Sequence, residues 1–192
     1  MLEQRPLVGW SQASSSPEIL ETIRKTRVSA WRWTMALSLV FPLGFLVAGL
    51  LSDEMPLGEG LIIGTVLGLF MFMLGVWRLR NAKKPGWEGV VIKKLEKKRH
   101  RRDDDGFDRS YMEYIVLIKT DQGKKKRIIE RKQGALMYHY FKVGDRVRYH
   151  PALETYEKYD KSKDRVIYCN VCRTMNPLAN DRCEKCNNLL FK

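Results

Sequence analysis

The chain has 192 residues, of which 35 are Lys or Arg and 22 are Asp or Glu, so its formal net charge is +13. Histidine is scarce, with 3 residues, and His100, His139 and His150 are expected to be structural or exposed. No Gly-rich phosphate loop or paired-acid motif accompanies them, so no catalytic residue is predicted and an enzyme is the least favoured class. The length allows one small domain plus appendages.

Two uncharged runs occupy residues 33–52 and 60–77, with 20 and 18 residues respectively. An α-helix needs about 20 residues to cross a hydrocarbon core of about 30 Å. Neither run has a polar face, and Trp33 and Trp77 lie at their outer ends, where membrane interfaces concentrate aromatic side chains. Buried core helices of a soluble protein are the alternative. The sequence predicts a two-helix transmembrane hairpin over residues 33–77.

The charges around the two runs predict how the hairpin is oriented. The connection between them, residues 53–59, holds three acidic residues and no Lys or Arg. The outer flanks are basic, with Arg24, Lys25, Arg27 and Arg32 before the first run and Arg78, Arg80, Lys83 and Lys84 after the second. Short loops rich in Lys and Arg stay in the cytoplasm. We therefore predict a multi-pass cell-membrane protein with both termini in the cytoplasm.

The interior of the hairpin carries small residues but no charge. Gly60, Gly64 and Gly68 repeat every four residues, which lets two helix backbones approach closely in lipid. These glycines are expected to join the hairpin's own helices; a homodimer seam is the alternative, so the oligomeric state stays open. Intramembrane ionisable groups usually mark ion, proton or substrate paths. Their absence here favours an anchor over a transporter.

The first 32 residues are expected to form a cytosolic segment. Ser16 and Pro17 are typical of a helix N-cap and first helical position. A short interfacial helix is predicted to follow them and to lead into the first span. Residues 1–13 are expected to be disordered.

Residues 87–168 have the pattern of a small β-domain. In residues 111–120 the alternate positions Met112, Tyr114, Val116 and Ile118 are apolar, which predicts one buried face. A short helix is predicted over residues 133–141, with Leu136, Met137 and Tyr140 as its apolar side. Five strands are predicted at residues 87–95, 111–120, 124–130, 146–150 and 165–168. This order favours a small OB-like β-barrel, with an SH3-like barrel as the competitor. The polar segment 96–109 is expected to be a solvated, mobile loop.

Basic residues cluster twice in this part of the chain, which carries 30 Lys or Arg against 16 Asp or Glu after residue 77. Anionic lipid headgroups attract such segments by about 1 kcal/mol per residue near a membrane. A nucleic-acid face using basic clusters 93–102 and 124–132 is the alternative. The candidate contact residues are Lys93, Lys94, Lys97, Lys98, Arg99, Arg101, Arg102, Lys124, Lys125, Lys126 and Arg127.

The cysteines are the one group with defined chemistry. Cys169 and Cys172 form a C-x2-C pair, and Cys183 and Cys186 form a second pair after ten residues. Two such pairs supply the four thiolates that a structural zinc ion prefers, with Zn–S distances of about 2.3 Å. Disulfides are the alternative, but the predicted cytosolic location is reducing. A redox C-x2-C motif would need a βαβ pattern that is missing. We predict a Zn²⁺ ribbon over residues 169–192 with no open catalytic position.

Residues 169–190 resemble the short zinc ribbons at the ends of many bacterial membrane and regulatory proteins, whose pattern is C-P-x-C-G-x-x-N-P-x-x-A-x-F-C-x-x-C-G. The fitting residues are Cys169, Cys172, Asn176, Pro177, Cys183 and Cys186. The chain has Asn170, Arg173, Arg182 and Asn187 where the pattern has Pro, Gly, Phe and Gly. The spacing is also similar to Ran-binding-protein-type zinc fingers, which bind RNA or ubiquitin, although Ile167 replaces their Trp. Residues 138–153 resemble the last strands of uncharacterised membrane-associated β-domains with a V-G-D-x-V pattern, which implies no activity.

These patterns lead to one functional hypothesis and one alternative. The first is a membrane-anchored adaptor, in which the β-domain and the structural zinc ribbon bind a protein partner at the cytoplasmic face. The alternative is a membrane-tethered nucleic-acid-binding module that uses the two basic clusters. The sequence does not name the partner.

Overall fold

The computed structural model describes residues 7–51, 56–102, 108–131 and 134–192, with backbone alone for residues 101–102 and 108–109. These residues form two compact units. One unit consists of residues 17–84. The other joins the residues before 17 to residues 85–192.

The first unit is a pair of helices, α1 (Pro17–Leu51) and α2 (Leu57–Asn81). As Ser16 and Pro17 predict, α1 begins at Pro17, but it continues without a break through Pro42, so the predicted interfacial helix and the first apolar run form one helix. Both helices are long and apolar enough, by length and composition, to cross a membrane. Ser52 and residues 53–55 of the predicted connection lie outside the described residues.

Small residues bring the two helices into close contact. Gly60, Gly64 and Gly68 are buried on α2. A Cβ atom added at Gly64 would lie 2.9 Å from the Phe41 carbonyl oxygen, and one at Gly68 would lie 2.5 Å from the Ser38 carbonyl oxygen. The prediction that these glycines join the hairpin's own helices is confirmed for Gly64 and Gly68.

The second unit is built on an antiparallel sheet with the strand order β3-β2-β1-β4-β5. The helix α3 (Leu136–Tyr140) lies between β3 and β4, as predicted. The strands are β1 (Trp87–Arg102), β2 (Asp108–Thr120), β3 (Lys125–Glu130), β4 (Arg146–His150) and β5 (Thr155–Lys158). In the described part of the chain β3 and β5 are edge strands that do not pair with each other. The sheet is therefore open and does not close into the predicted barrel.

Two strand assignments also differ from the prediction. The β1–β2 pairing continues to Arg102 opposite Asp108, so most of the expected mobile loop is strand, while residues 103–107 lie outside the described residues. Opposed charges such as Lys97 and Glu113 face each other across this ribbon, and cross-strand pairs of this kind stabilise a sheet. The predicted fifth strand instead forms β6 (Val166–Tyr168), which pairs with β7 (Met175–Pro177) in a second sheet.

One face of the large sheet and α3 enclose the core. Val116 and Ile118 are fully buried, which confirms the buried face of β2, whereas Met112 is 37% exposed. On α3, Met137 and Tyr140 are buried as predicted, but Leu136 is exposed. The remaining buried members of this cluster are Val91, Phe141, Val147 and Tyr168.

The expectation of disorder is wrong for residues 7–13, which belong to an ordered segment, residues 7–16, that we call the strap. The backbone carbonyl of Leu7 accepts a hydrogen bond from Lys161 at 2.8 Å, and the backbone N–H of Gly9 donates to Tyr159 at 2.9 Å. Trp10 packs edge-on against Tyr159 and lies beneath the Arg148 guanidinium, 4.3 Å from it. A short 3-10 helix, Gln12–Ser15, ends the strap before α1. Residues 1–6 lie outside the described residues.

A buried carboxylate, Glu157 on β5, holds the strap. It accepts a hydrogen bond from the Ser11 backbone N–H at 2.6 Å and lies 3.2 Å from the Lys161 ammonium and 2.8 Å from His150 Nε2. The side chains of Glu157 and Lys161 are each 1% exposed. Burial lowers the pKa of Lys161, and Glu157 offsets part of this shift. His150 is therefore one of the contacts that surround this carboxylate.

Candidate metal centre

Four sulfur atoms converge at one point near the C-terminus. The Sγ atoms of Cys169, Cys172, Cys183 and Cys186 all lie within 4.8 Å of one another. Cys169 Sγ is 3.6 Å from Cys186 Sγ, and Cys172 Sγ is 3.4 Å from Cys183 Sγ. These separations exceed the roughly 2.05 Å of a disulfide bond, and the four side chains are free thiols. The centre is therefore a four-cysteine cluster like that of a zinc ribbon.

Two matching backbone turns create the cluster. In the first turn Arg173 N–H donates to the Cys169 carbonyl at 2.9 Å, and in the second Asn187 N–H donates to the Cys183 carbonyl at 2.8 Å. Arg173 and Asn187 have φ angles of 65° and 56°, in the left-handed region. L-residues other than Gly and Asn adopt this region at a cost of about 1–2 kcal/mol. This explains why the ribbon pattern has Gly at both positions, and Asn187 is a residue that tolerates the left-handed region.

Backbone N–H groups within each turn point at a sulfur. Burial acts to raise the pKa of Cys183, but hydrogen bonds from the backbone of Cys186 and Lys185 and from the side chains of Cys172 and Asn176 together lower this pKa to about 6. Burial raises the pKa of Cys169 and of Cys186. A metal ion binds thiolates, so its binding would release the protons that these thiols hold. The donors in the turns are already placed to stabilise negative sulfur.

The donor set fits a tetrahedral ion. Four sulfurs at about 2.3 Å from a central Zn²⁺ lie about 3.8 Å from each other. The measured separations of 3.4 Å and 3.6 Å are close to that value. Cys169 and Cys183 are buried, while Cys172 and Cys186 are partly exposed. The four cysteines are thus positioned to bind a metal ion such as zinc, and they would fill every tetrahedral position.

Two asparagines that the sequence analysis did not assign to the site support it. Asn176 is buried and bridges the two halves, because its Oδ1 accepts from the Glu184 backbone at 2.9 Å and its Nδ2 donates to Thr174 at 2.9 Å. Asn170 is also buried and donates to the Tyr156 carbonyl of β5 at 2.9 Å. The Asn-Pro step of the family pattern was the available signal for Asn176.

Apolar residues beside the cysteines connect the ribbon to the larger sheet. Ile167 and Leu190 are buried next to Cys169 and Cys183. Phe191 is buried and packs edge-on against His150 of β4, with ring centroids 5.4 Å apart. The ribbon therefore belongs to the same compact unit as the five-stranded sheet.

The structure separates the predicted basic contact residues by face. Cross-strand neighbours share a face, so the register of β1, β2 and β3 assigns each side chain. Lys94, Lys98 and Lys126 lie on the core side of the sheet, where Lys94 stacks over Tyr138 at 4.2 Å. The residues on the other face are Lys93, Lys97, Arg99, Lys125 and Arg127. Lys124 lies in the turn before β3, and Arg101, Arg102 and Lys132 have no described side chains.

Comparison with known proteins finds no relative. The chain matches no protein-family model, and neither the curated proteins nor the solved structures contain a match. The four-cysteine geometry therefore carries the argument on its own.

Proposed function

We propose that the chain is a membrane-anchored adaptor. In this proposal α1 and α2 span the cell membrane, both termini lie in the cytoplasm, and the unit formed by the strap and residues 85–192 binds a protein partner there. A structural Zn²⁺ on the four cysteines holds the ribbon. The proposal assigns the chain no catalytic step.

The packing of the strap is the observation that carries the topology. Ser11 precedes α1 and Glu157 follows α2, yet the two residues are joined by a hydrogen bond of 2.6 Å within one folded unit. One folded unit lies on one side of a membrane. The chain between residues 16 and 85 must then cross an even number of times, which two spanning helices satisfy. The basic flanks independently favour the cytoplasmic side for this unit.

The zinc ribbon supports a binding role for the unit. All four cysteines would ligate the ion, so no position remains open for substrate or water. Structural zinc sites supply folding free energy to small segments that cannot bury a large core. The ribbon surface is then a rigid feature of the cytoplasmic unit, and rigid surfaces lose little conformational entropy when a partner binds.

The topology is tested by reporter fusions in the full-length chain. A reporter that works only in the cytoplasm should be active when it is fused after residue 192. A reporter that works only outside the cytoplasm should be active when it is inserted in residues 53–59. A cytoplasmic loop reporter would refute the hairpin. A reporter fused ahead of residue 7 provides the control for the strap and should behave like the one after residue 192.

The adaptor role is tested by proximity labelling from the C-terminus in the native cell. Wild-type protein should label a small set of cytoplasmic proteins, and Cys183→Ser should lose those that contact the ribbon while its membrane level is unchanged. A labelling pattern identical to that of the bare hairpin, residues 17–84 with the same label, would rule the adaptor role out.

A further inference from the structure

The side of the large sheet that faces away from the core carries the two basic clusters together. We call this surface the outer face of β1–β3. Lys93, Leu117 and Arg127 form one row across its three strands. The next row is Leu95, Ile115 and Ile129. The sequence places these clusters about 30 residues apart, and strand pairing brings them side by side.

The centre of this face is aliphatic. Ile129 is 43% exposed although it lies on a strand, whereas Ile115 beside it is 5% exposed. Leu95 and Leu117 are half-buried. No aromatic side chain lies in these two rows, so bases would find no stacking platform there.

The rim of the same face is strongly positive. Its exposed cations are Lys93, Lys97, Arg99, Lys119, Lys125 and Arg127. Among the described side chains, two carboxylates of these strands share the face. Glu113 is buried between Arg99 at 3.5 Å and Arg131 at 3.3 Å. Glu88, at the start of β1, lies 3.1 Å from Arg146 and 2.6 Å from Arg148. Guanidinium groups thus neutralise both acids, and the exposed lysines of the rim keep a net positive charge at the surface.

The strap does not compete for this surface. It contacts Glu157, Tyr159 and Lys161, which lie on or after β5, and Arg148 on β4. Those strands form the opposite end of the sheet from β3. In the parts of the chain that the structure describes, the strap therefore covers one end of the sheet and leaves the outer face of β1–β3 open.

We propose that the outer face of β1–β3 docks onto the anionic headgroups of the bilayer that holds the hairpin. An aliphatic centre with a basic rim is the composition that binds membrane interfaces, because apolar contact and headgroup attraction act together. Only five residues separate Asn81 of α2 from Trp87 of β1. Such a short tether gives the face an effective concentration at the membrane of about a millimolar or more. This inference rests on the proposed membrane anchorage.

The experiment uses the full-length chain in lipid nanodiscs, with a photo-crosslinking amino acid in place of Ile129. The matched control carries the same amino acid in place of Val166, a strand residue of the same unit that is 44% exposed. In nanodiscs containing phosphatidylglycerol, position 129 should give at least about fivefold more lipid adduct than position 166. In pure phosphatidylcholine the excess should disappear, and in the anionic discs it should shrink as salt is raised.

A pair of double variants tests the role of the rim. Lys93→Gln with Arg127→Gln removes two charges from the outer face and should lower the adduct at position 129 at least about threefold. Lys98→Gln with Lys126→Gln removes two exposed charges from the same strands on the other face and should leave the adduct unchanged. An equal effect of the two pairs would overturn the proposal, since bulk charge would then explain the attraction.

The remaining outcomes separate the possible causes of failure. If the chain does not enter nanodiscs, the proposed membrane anchorage itself fails. If it enters them but position 129 gives no more lipid adduct than position 166, the anchorage stands and the docking is refuted. Efficient crosslinking of position 129 to an added RNA or DNA oligonucleotide, with loss of the lipid adduct, would replace the membrane by nucleic acid as the ligand.

Discussion

The buried pair of Glu157 and Lys161 predicts a large effect from a small substitution. Glu157→Gln keeps the size of the side chain and an oxygen that accepts the Ser11 N–H, but it removes the charge. The Lys161 ammonium, 1% exposed, then loses the carboxylate that it contacts and keeps only the Gly9 carbonyl at 3.3 Å and the attraction of Asp164. Breaking a buried ion pair by removing one partner costs about 3–5 kcal/mol. For a unit of this size about 4 °C of Tm corresponds to 1 kcal/mol, so we expect a fall of about 12–20 °C.

The measurement is thermal unfolding of the full-length chain in detergent, followed by near-ultraviolet circular dichroism of the aromatic residues. Amide hydrogen exchange at Gly9 and Ser11 should rise together with the loss of stability, because both amides are bonded in the strap. The double variant Glu157→Gln with Lys161→Met removes the unpaired charge and should recover most of the loss. A single variant within about 1 kcal/mol of wild type would refute the reasoning.

The pair of Glu157 and Lys161 also makes the stability of the unit depend on pH, in a direction that can be predicted. Burial lowers the folded-state pKa of Lys161, so between that pKa and 10.5 the unfolded chain binds more protons than the folded one. Stability therefore rises with pH in this window. Glu157 raises this pKa, so Glu157→Gln lowers it further and extends the window downwards. From pH 7 to about 9.5, below the ordinary pKa of Tyr, the variant should gain stability relative to wild type; a constant difference would contradict the assignment.

Three further predictions follow from other parts of the structure. Purified reduced protein should bind about one Zn²⁺, and Cys183→Ser should lose it; less than about half an equivalent in intact protein would exclude the site. Gly68→Ala should weaken the hairpin by about 1–3 kcal/mol in detergent unfolding, whereas Gly44→Ala, with nothing within 4 Å of the added atom, should not. Arg173→Gly should stabilise the unit by about 1 kcal/mol by relieving its positive φ, with unchanged zinc stoichiometry; a loss of stability would show that its contacts with Glu154 outweigh the strain.

The features that the sequence predicted correctly depend on short spacings. Helical length and apolar composition follow from contiguous residues, and so do the glycine repeat of α2 and the spacing within each C-x2-C pair. Alternation in β2 identified Val116 and Ile118 as core residues for the same reason. Each of these signals is contained in a window of fewer than about 20 residues, where local chemistry decides the structure.

The strap was missed because its partners are remote in sequence. Ser11 and Glu157 are separated by 146 positions, and nothing near residue 11 indicates a buried carboxylate. The segment is short and has only Leu7, Val8 and Trp10 as large apolar residues, which locally resembles a disordered terminus. Its order comes from a binding site that the folded sheet creates.

The barrel and the mobile loop were mispredicted because pairing partners override local composition. Residues 96–102 are mostly charged, which is typical of a loop, but each has a partner on β2. Charged side chains are tolerated on strands with solvated faces. Whether a sheet closes into a barrel likewise depends on which edge strands pair with each other. Alternation of apolar and polar residues indicates that a segment is a strand, but it does not indicate which strands lie beside it in the sheet.

The metal centre and the strap are connected by a series of side-chain contacts. Phe191 at the end of the ribbon packs on His150, His150 contacts Glu157, and Glu157 accepts the Ser11 N–H. The C-terminal residues therefore cover the charged group that holds the N-terminal segment. Because a ligand that binds only the folded state stabilises everything that folds with it, zinc bound by the four cysteines would also support the strap, from which the chain enters α1 at Pro17. A metal ion bound by the four cysteines would thus stabilise the packing of the strap at the other end of the unit.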